Sequence, residues 1–155
     1  MSRQFADIAH QIMSDKTAIP LLIAPRVAWP LAVMIRLAAR HPGRPAWGKK
    51  SSIALAKRFE KAVKARHPMP DLYRMEDLEP IMRDDQEMSI EVTMAEAFEI
   101  VGDVQLCTRH PDIRLGNEAL RISVDAAKQI QVRIVEYHPD AWLMMQMSWD
   151  EKYDI

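Results

Sequence analysis

The chain has 155 residues, of which 48% are hydrophobic and 28% charged, and it contains only four glycines and one cysteine. This composition excludes collagen-like and low-complexity chains, and no apolar run reaches the roughly 18 residues that a membrane span needs. The formal net charge is −1, and the lone Cys107 excludes an internal disulfide or a four-cysteine zinc site. We therefore expect one soluble domain over 1–155, in a reducing cytoplasm, with no cofactor, no metal and no membrane partner.

The chain repeats itself at a shift of 69 in residue number. Over 12–42, eight residues are identical to their counterparts at this shift, including Arg40-His41-Pro42 on Arg109-His110-Pro111. Farther along the chain the shift becomes 71, and apolar positions still fall on apolar positions. This pattern predicts a tandem duplication, with repeats at about 12–68 and 81–139.

Each repeat is predicted to hold about three helices. In the first repeat, Pro25 suits the first position of the second helix, because its missing N–H costs nothing there. In the second repeat, Thr93 and Glu96 form a capping box at the same place. Both helices should end near a histidine, His41 or His110, with Arg40 or Arg109 in the last turn, because a residue that precedes proline is pushed out of the α region.

The third helix of each repeat shows apolar residues at helical spacing. They are Ile53, Ala56, Phe59 and Val63, and then Val124, Ala127, Ile130 and Ile134. We expect Ser51 or Ser52, and Asn117, to cap these helices, and we expect the two helices to pack against each other. Residues 89–93 alternate like a strand but have no evident pairing partner, so the predicted fold is an all-α pseudo-twofold helical bundle.

The C-terminal tail, 140–155, is predicted to be helical. Trp142, Met145 and Trp149 share one helical face in it. Such a stripe is either core or an exposed patch for self-association or a partner, since Met and Trp are favoured on adaptable binding surfaces.

Charge is strongly segregated along the chain. Residues 16–66 hold 12 basic residues and one acidic residue, whereas residues 67–108 hold 11 acidic and two basic residues. The basic segment 44–66 is a candidate surface for nucleic acid or an acidic partner, and Trp47 could stack on a base. The acidic stretch 71–103, of this chain or of a second copy, could equally neutralise it, or the face could simply be solvated. The candidate residues are Arg44, Trp47, Lys49, Lys50, Lys57, Arg58, Lys61 and Lys64.

The sequence holds no phosphate loop and no hydrolase or zinc-protease motif, so we predict no catalytic residue. Cys107 and His110 form at most an isolated half-site for a metal. If the Arg-His-Pro corners at 40–42 and 109–111 lie close together, Arg40, His41, Arg109 and His110 would form an anion-binding site. Structural capping of the two helices is the alternative interpretation of the same residues.

These features favour a non-enzymatic interaction module. It would bind protein partners, or a second copy of itself, through its charged faces and its Met/Trp-rich C-terminal patch. The alternative is a nucleic-acid-binding accessory protein that uses the basic segment 44–66.

Overall fold

The protein is mostly helical, as predicted, with one small sheet. A computed structural model describes residues 3–42, 48–110 and 116–142. In chain order its elements are α1 (Arg3–Met13), β1 (Ala18–Ile23), α2 (Pro25–Arg40), α3 (Lys49–Arg66), α4 (Met75–Met82), β2 (Met88–Thr93), α5 (Met94–Arg109) and α6 (Asn117–Tyr137). A short 3-10 helix, Pro139–Ala141, follows α6.

The boundaries of α2 and α5 agree with the sequence signals. Pro25 opens α2, and Thr93 caps α5 through its Oγ, which accepts the Glu96 N–H at 3.1 Å. The Glu96 carboxylate in turn accepts the Thr93 N–H at 2.8 Å, which completes the predicted capping box. The two helices end at Arg40 and Arg109, because each is followed by a non-helical histidine and then a proline.

The predicted caps of the third helices are wrong. Gly48 and Gly116 hold the cap positions of α3 and α6, and neither helix has a side-chain cap. Ser52 lies inside α3, where it is fully buried.

The expectation of an all-α fold is wrong in one detail, the two-stranded antiparallel sheet. Residues 89–93 do find a partner, which is the segment 18–23. In the register of the sheet, Ala18 stands opposite Thr93 and Ile23 stands opposite Met88. Buried and exposed residues alternate along β1, so one face of the sheet covers the helical core and the other faces solvent.

Helix α2 occupies the middle of the helical layer. Its residues Leu31, Met34 and Ile35 are completely buried, and the helix contacts α3, α5 and α6. The expectation that the third helices pack chiefly against each other is wrong, because α3 packs mainly on α2, while α6 packs on α5 and α2. The apolar faces of α3 and α6 are nevertheless the predicted ones, with Phe59 and Ile134 fully buried.

Candidate functional site

Four lysines of α3 form a single row along its outer side. Lys50, Lys57, Lys61 and Lys64 follow one another at spacings of 7, 4 and 3, so at 100° per residue they fall within an arc of about 60°. At 1.5 Å per residue the row is about 21 Å long. Three of the four lysines are exposed and Lys64 is half-buried. We call these four residues the lysine row.

The position of α3 is fixed from the opposite side. Leu55, Phe59 and Val63 are buried beneath the helix, which forces the lysine row outward. Lys49 and Lys50 stand in the first turn, where no acidic residue accompanies them. A cation at this end opposes the helix dipole by about 0.3–1 kcal/mol, so local stability does not account for these two lysines.

The acidic half of the chain engages the arginines of α3. Arg58 holds the Glu96 carboxylate through two hydrogen bonds of 2.9 and 2.8 Å, and it also donates to the Glu91 carbonyl at 3.1 Å. Burial raises the pKa of Glu96, but the hydrogen bonds from Arg58 and from the Thr93 N–H outweigh burial, so the pKa is lowered. Near the other end of α3, Arg66 contacts Asp84 at 3.3 Å.

The lysines of α3 are not neutralised in this way. Within residues 3–42, 48–110 and 116–142, none of Lys49, Lys50, Lys57, Lys61 and Lys64 forms an ion pair. Arg58 was grouped with these lysines from the sequence, but it differs from them because it is engaged in an ion pair. Arg44 and Trp47, the other predicted members of this surface, lie outside the described residues.

The histidines that end α2 and α5 do come together. The rings of His41 and His110, which follow α2 and α5, have centroids 4.2 Å apart and are tilted by 40°. Arg40 and Arg109, the last residues of the two helices, are exposed beside them. The proximity on which the predicted anion site depends is present, and anion binding at these four residues stays a prediction.

The other two His-Pro histidines have a different role, which sequence reasoning missed. Nε2 of His138 lies 2.7 Å from Oδ2 of Asp15, and Nε2 of His67 lies 2.7 Å from Oδ2 of Asp84. Hydrogen bonds from Thr17, followed by the one with His138, lower the pKa of Asp15 to about 2. The signal was available, because Asp15 falls on Asp84 at the predicted repeat shift of 69.

Cys107, one member of the predicted half-site, is buried on α5 and poorly suited to bind a metal or to act as a nucleophile. Cys107 is 5% exposed, and burial, together with the charge of Asp103, raises the pKa of its thiol to about 12. Its Sγ lies 3.7 Å from the Met34 carbonyl oxygen. Across the described part of the chain, no group of three or more His, Cys, Asp or Glu side chains is arranged to hold a metal ion.

Of the predicted C-terminal patch, only Trp142 is described. It follows the 3-10 helix and is 53% exposed, while Met145 and Trp149 lie outside the described residues. Among the helices that the structure describes, none has the length and apolar character required to span a membrane.

Comparison with known proteins gives no relative. No protein-family model matches the chain, and neither the curated proteins nor the solved structures contain a significant match.

Proposed function

We propose that this protein is a non-enzymatic interaction module that binds the acidic surface of a partner protein through the lysine row of α3. The observation that carries the proposal is a difference in ion pairing between the arginines and the lysines of α3. The arginines Arg58 and Arg66 are paired with acidic residues of the same chain, whereas the lysine row is unpaired within the described residues.

The charge distribution favours a protein partner over nucleic acid. Arginine provides the planar, bidentate recognition of phosphate, and both arginines of α3 are already engaged. The chain also carries exposed carboxylates at Asp85, Glu87 and Glu91, and its net charge is −1, so a long polyanion would be repelled outside the row. A local acidic patch about 21 Å long, such as one face of a helix, fits the row without this penalty.

Nucleic-acid binding is the second candidate function. It is favoured by the alignment of Lys50, Lys57, Lys61 and Lys64 in one straight row, since consecutive lysines could each neutralise one phosphate. It predicts a steep loss of affinity with salt for a DNA probe, and stronger binding of DNA than of an acidic polypeptide.

Fluorescence anisotropy with labelled poly-L-glutamate and with a short labelled DNA duplex distinguishes the two functions. We expect poly-L-glutamate to bind more tightly than DNA, and Lys57→Glu with Lys61→Glu to weaken that binding by about tenfold or more. The matched control is Lys16→Glu with Arg121→Glu, which reverses two exposed cations outside α3. Equal losses in both double variants, or no binding of either probe by the native protein, would contradict the proposal.

We also propose that the scaffold is a tandem duplication. It is supported by the order helix, strand, helix, helix, which occurs twice, and by α2 and α5, which have equal lengths and begin at aligned residues, Pro25 and Met94. The two Asp–His contacts also correspond, because each joins an aspartate of one repeat to a histidine of the other. An experimental structure in which 12–68 and 81–139 fail to superimpose would contradict it.

The duplication would explain why only one third helix has the lysine row. At the shift of 71, the row falls on Arg121, Lys128, Val132 and Val135 of α6. The scaffold would thus have kept its buried face while the charge on its outer face diverged.

A further inference from the structure

The two edges of the small sheet differ in whether a side chain covers them. The edge of β2 is covered by Arg58, whose guanidinium donates to the Glu91 carbonyl. At the shift of 71, the residue of α6 that corresponds to Arg58 is Gln129, and no hydrogen bond joins it to β1 in the described residues. The edge of β1 therefore lacks the cover that the edge of β2 has.

The register shows which backbone groups the edge of β1 presents. Pro20 stands opposite Glu91, and since proline has no N–H these two residues cannot form a hydrogen-bonded pair. Hydrogen-bonded and non-hydrogen-bonded pairs alternate in an antiparallel ladder, so Leu22 and Ser89 are also a non-hydrogen-bonded pair. The N–H and C=O of Leu22 consequently point away from β2, toward the open edge.

A groove runs along this edge, between β1 and α6. It consists of two adjoining cavities of about 260 and 300 Å³, which share Leu22, Ile23, Ala126 and Gln129. The Leu22 side chain is 61% exposed at the groove. Proteins usually blunt an open strand edge with proline, charge or cover. Pro20 removes one N–H from this edge, whereas Leu22 still presents both its N–H and its C=O there.

The two ends of the groove carry opposite charges. Arg133, the one charged residue among the described residues that line the cavity containing Pro20, also contacts Glu136 of the same helix at 3.1 Å. The other cavity, beyond Leu22, is lined by the paired Arg26 and Asp85 together with Glu87 and Asp125, so its lining carries an excess of negative charge. If two copies meet edge to edge around a twofold axis at Leu22, the basic end of each groove faces the acidic end of the other. A symmetric dimer requires this self-complementarity of a single surface.

We propose that β1 of one copy pairs antiparallel with β1 of a second copy, centred on Leu22, to give a four-stranded sheet across a symmetric dimer. The two Leu22 residues would exchange both of their N–H···O=C bonds, and their side chains would lie together at the axis. This surface is separate from the lysine row, so the dimer and the proposed function can fail independently.

Sedimentation equilibrium over a wide range of protein concentration tests the proposal. We expect the native protein to be a dimer, and Leu22→Lys to be a monomer because two lysines would meet at the axis. Val132→Lys is the matched control, since Val132 is also 61% exposed and lines neither cavity. A monomeric native protein, a dimeric Leu22→Lys variant or a monomeric Val132→Lys variant would each overturn the proposal.

Charge reversal provides a second test that does not depend on Leu22. Arg133→Glu should weaken the dimer by about tenfold, because it places like charges opposite Asp125 of the second copy. Adding Asp125→Arg in the same chain should restore the dimer, since the interface is then complementary with its polarity reversed. A double variant that is no better than the single one would also overturn the proposal, and an unrelated extended peptide would then be the better candidate for the groove.

Discussion

Two buried serines at corresponding positions of α3 and α6 should respond to the same substitution in opposite directions. Ser52 falls on Ser123 when the third helices are aligned, and both are completely buried. The Ser52 Oγ donates to Oδ2 of Asp103 at 3.0 Å. The Ser123 Oγ has no hydrogen-bond partner within the described residues. Alanine therefore removes a hydrogen-bonded hydroxyl in Ser52→Ala and an unsatisfied hydroxyl in Ser123→Ala.

The magnitudes follow from the cost of burying polar groups. A hydrogen bond to a charged group contributes about 1.5–3 kcal/mol, so Ser52→Ala should lower the free energy of unfolding by about that amount. An unsatisfied buried hydroxyl costs about 1–3 kcal/mol, and alanine is also the better helix former, so Ser123→Ala should raise it by about 1 kcal/mol. For a domain of this size, 1 kcal/mol shifts Tm by roughly 2–4 °C.

Urea unfolding followed by far-ultraviolet circular dichroism measures both changes. The matched control is Ser51→Ala, because Ser51 donates to Glu99 at 3.0 Å from an exposed position and should matter by less than about 0.5 kcal/mol. Destabilisation by Ser123→Ala, or a Ser52→Ala variant that is as neutral as the control, would contradict these predictions.

Two further predictions concern titratable groups. The folded pKa of Asp15, about 2, lies below its ordinary value of 3.8, so its contribution to stability is present above about pH 4 and is lost as the pH falls toward 2. The stability difference between the native protein and Asp15→Asn should therefore shrink over this interval, and a difference that stays constant in urea titrations down to pH 2 would contradict the assignment. Cys107 should resist iodoacetamide at pH 8 in the folded protein and react once urea unfolds it, and rapid labelling of the native form would show that the thiol is not buried.

The sequence predicted the ends of the helices well because those signals are local. Proline after His41 and His110, and the Thr93 capping box, act within a few residues, and the structure confirms the boundaries that they imply. The sheet was missed for the opposite reason. Residues 18–23 are uniformly apolar and contain Pro20, so they show no alternation, and their partner strand at 88–93 is distant along the chain.

The sequence also could not predict which helices pack against α3 and α6. The apolar spacing of α3 and α6 identified the faces that are buried, but periodicity does not say which helix covers a face. The structure places α2 between them, so the expected contact between α3 and α6 gives way to contacts with α2.

At the candidate site, the sequence predicts the lysine row but not which cations of α3 are paired. The spacing of Lys50, Lys57, Lys61 and Lys64 is a helical pattern and can be read from the sequence. The ion pair between Arg58 and Glu96 joins two elements that are distant along the chain, and no local pattern predicts it. Only the structure distinguishes the engaged arginines from the lysine row.

The proposed role of the lysine row is tested most directly by nuclear magnetic resonance. Poly-L-glutamate is titrated into the ¹⁵N-labelled native protein, and the amide shifts are followed at each residue. We expect the shifts to cluster in α3, at the lysine row and its neighbours, and to fade as salt is added. Shifts centred on α6 or on the His41–His110 corner, with α3 unchanged, would contradict this role.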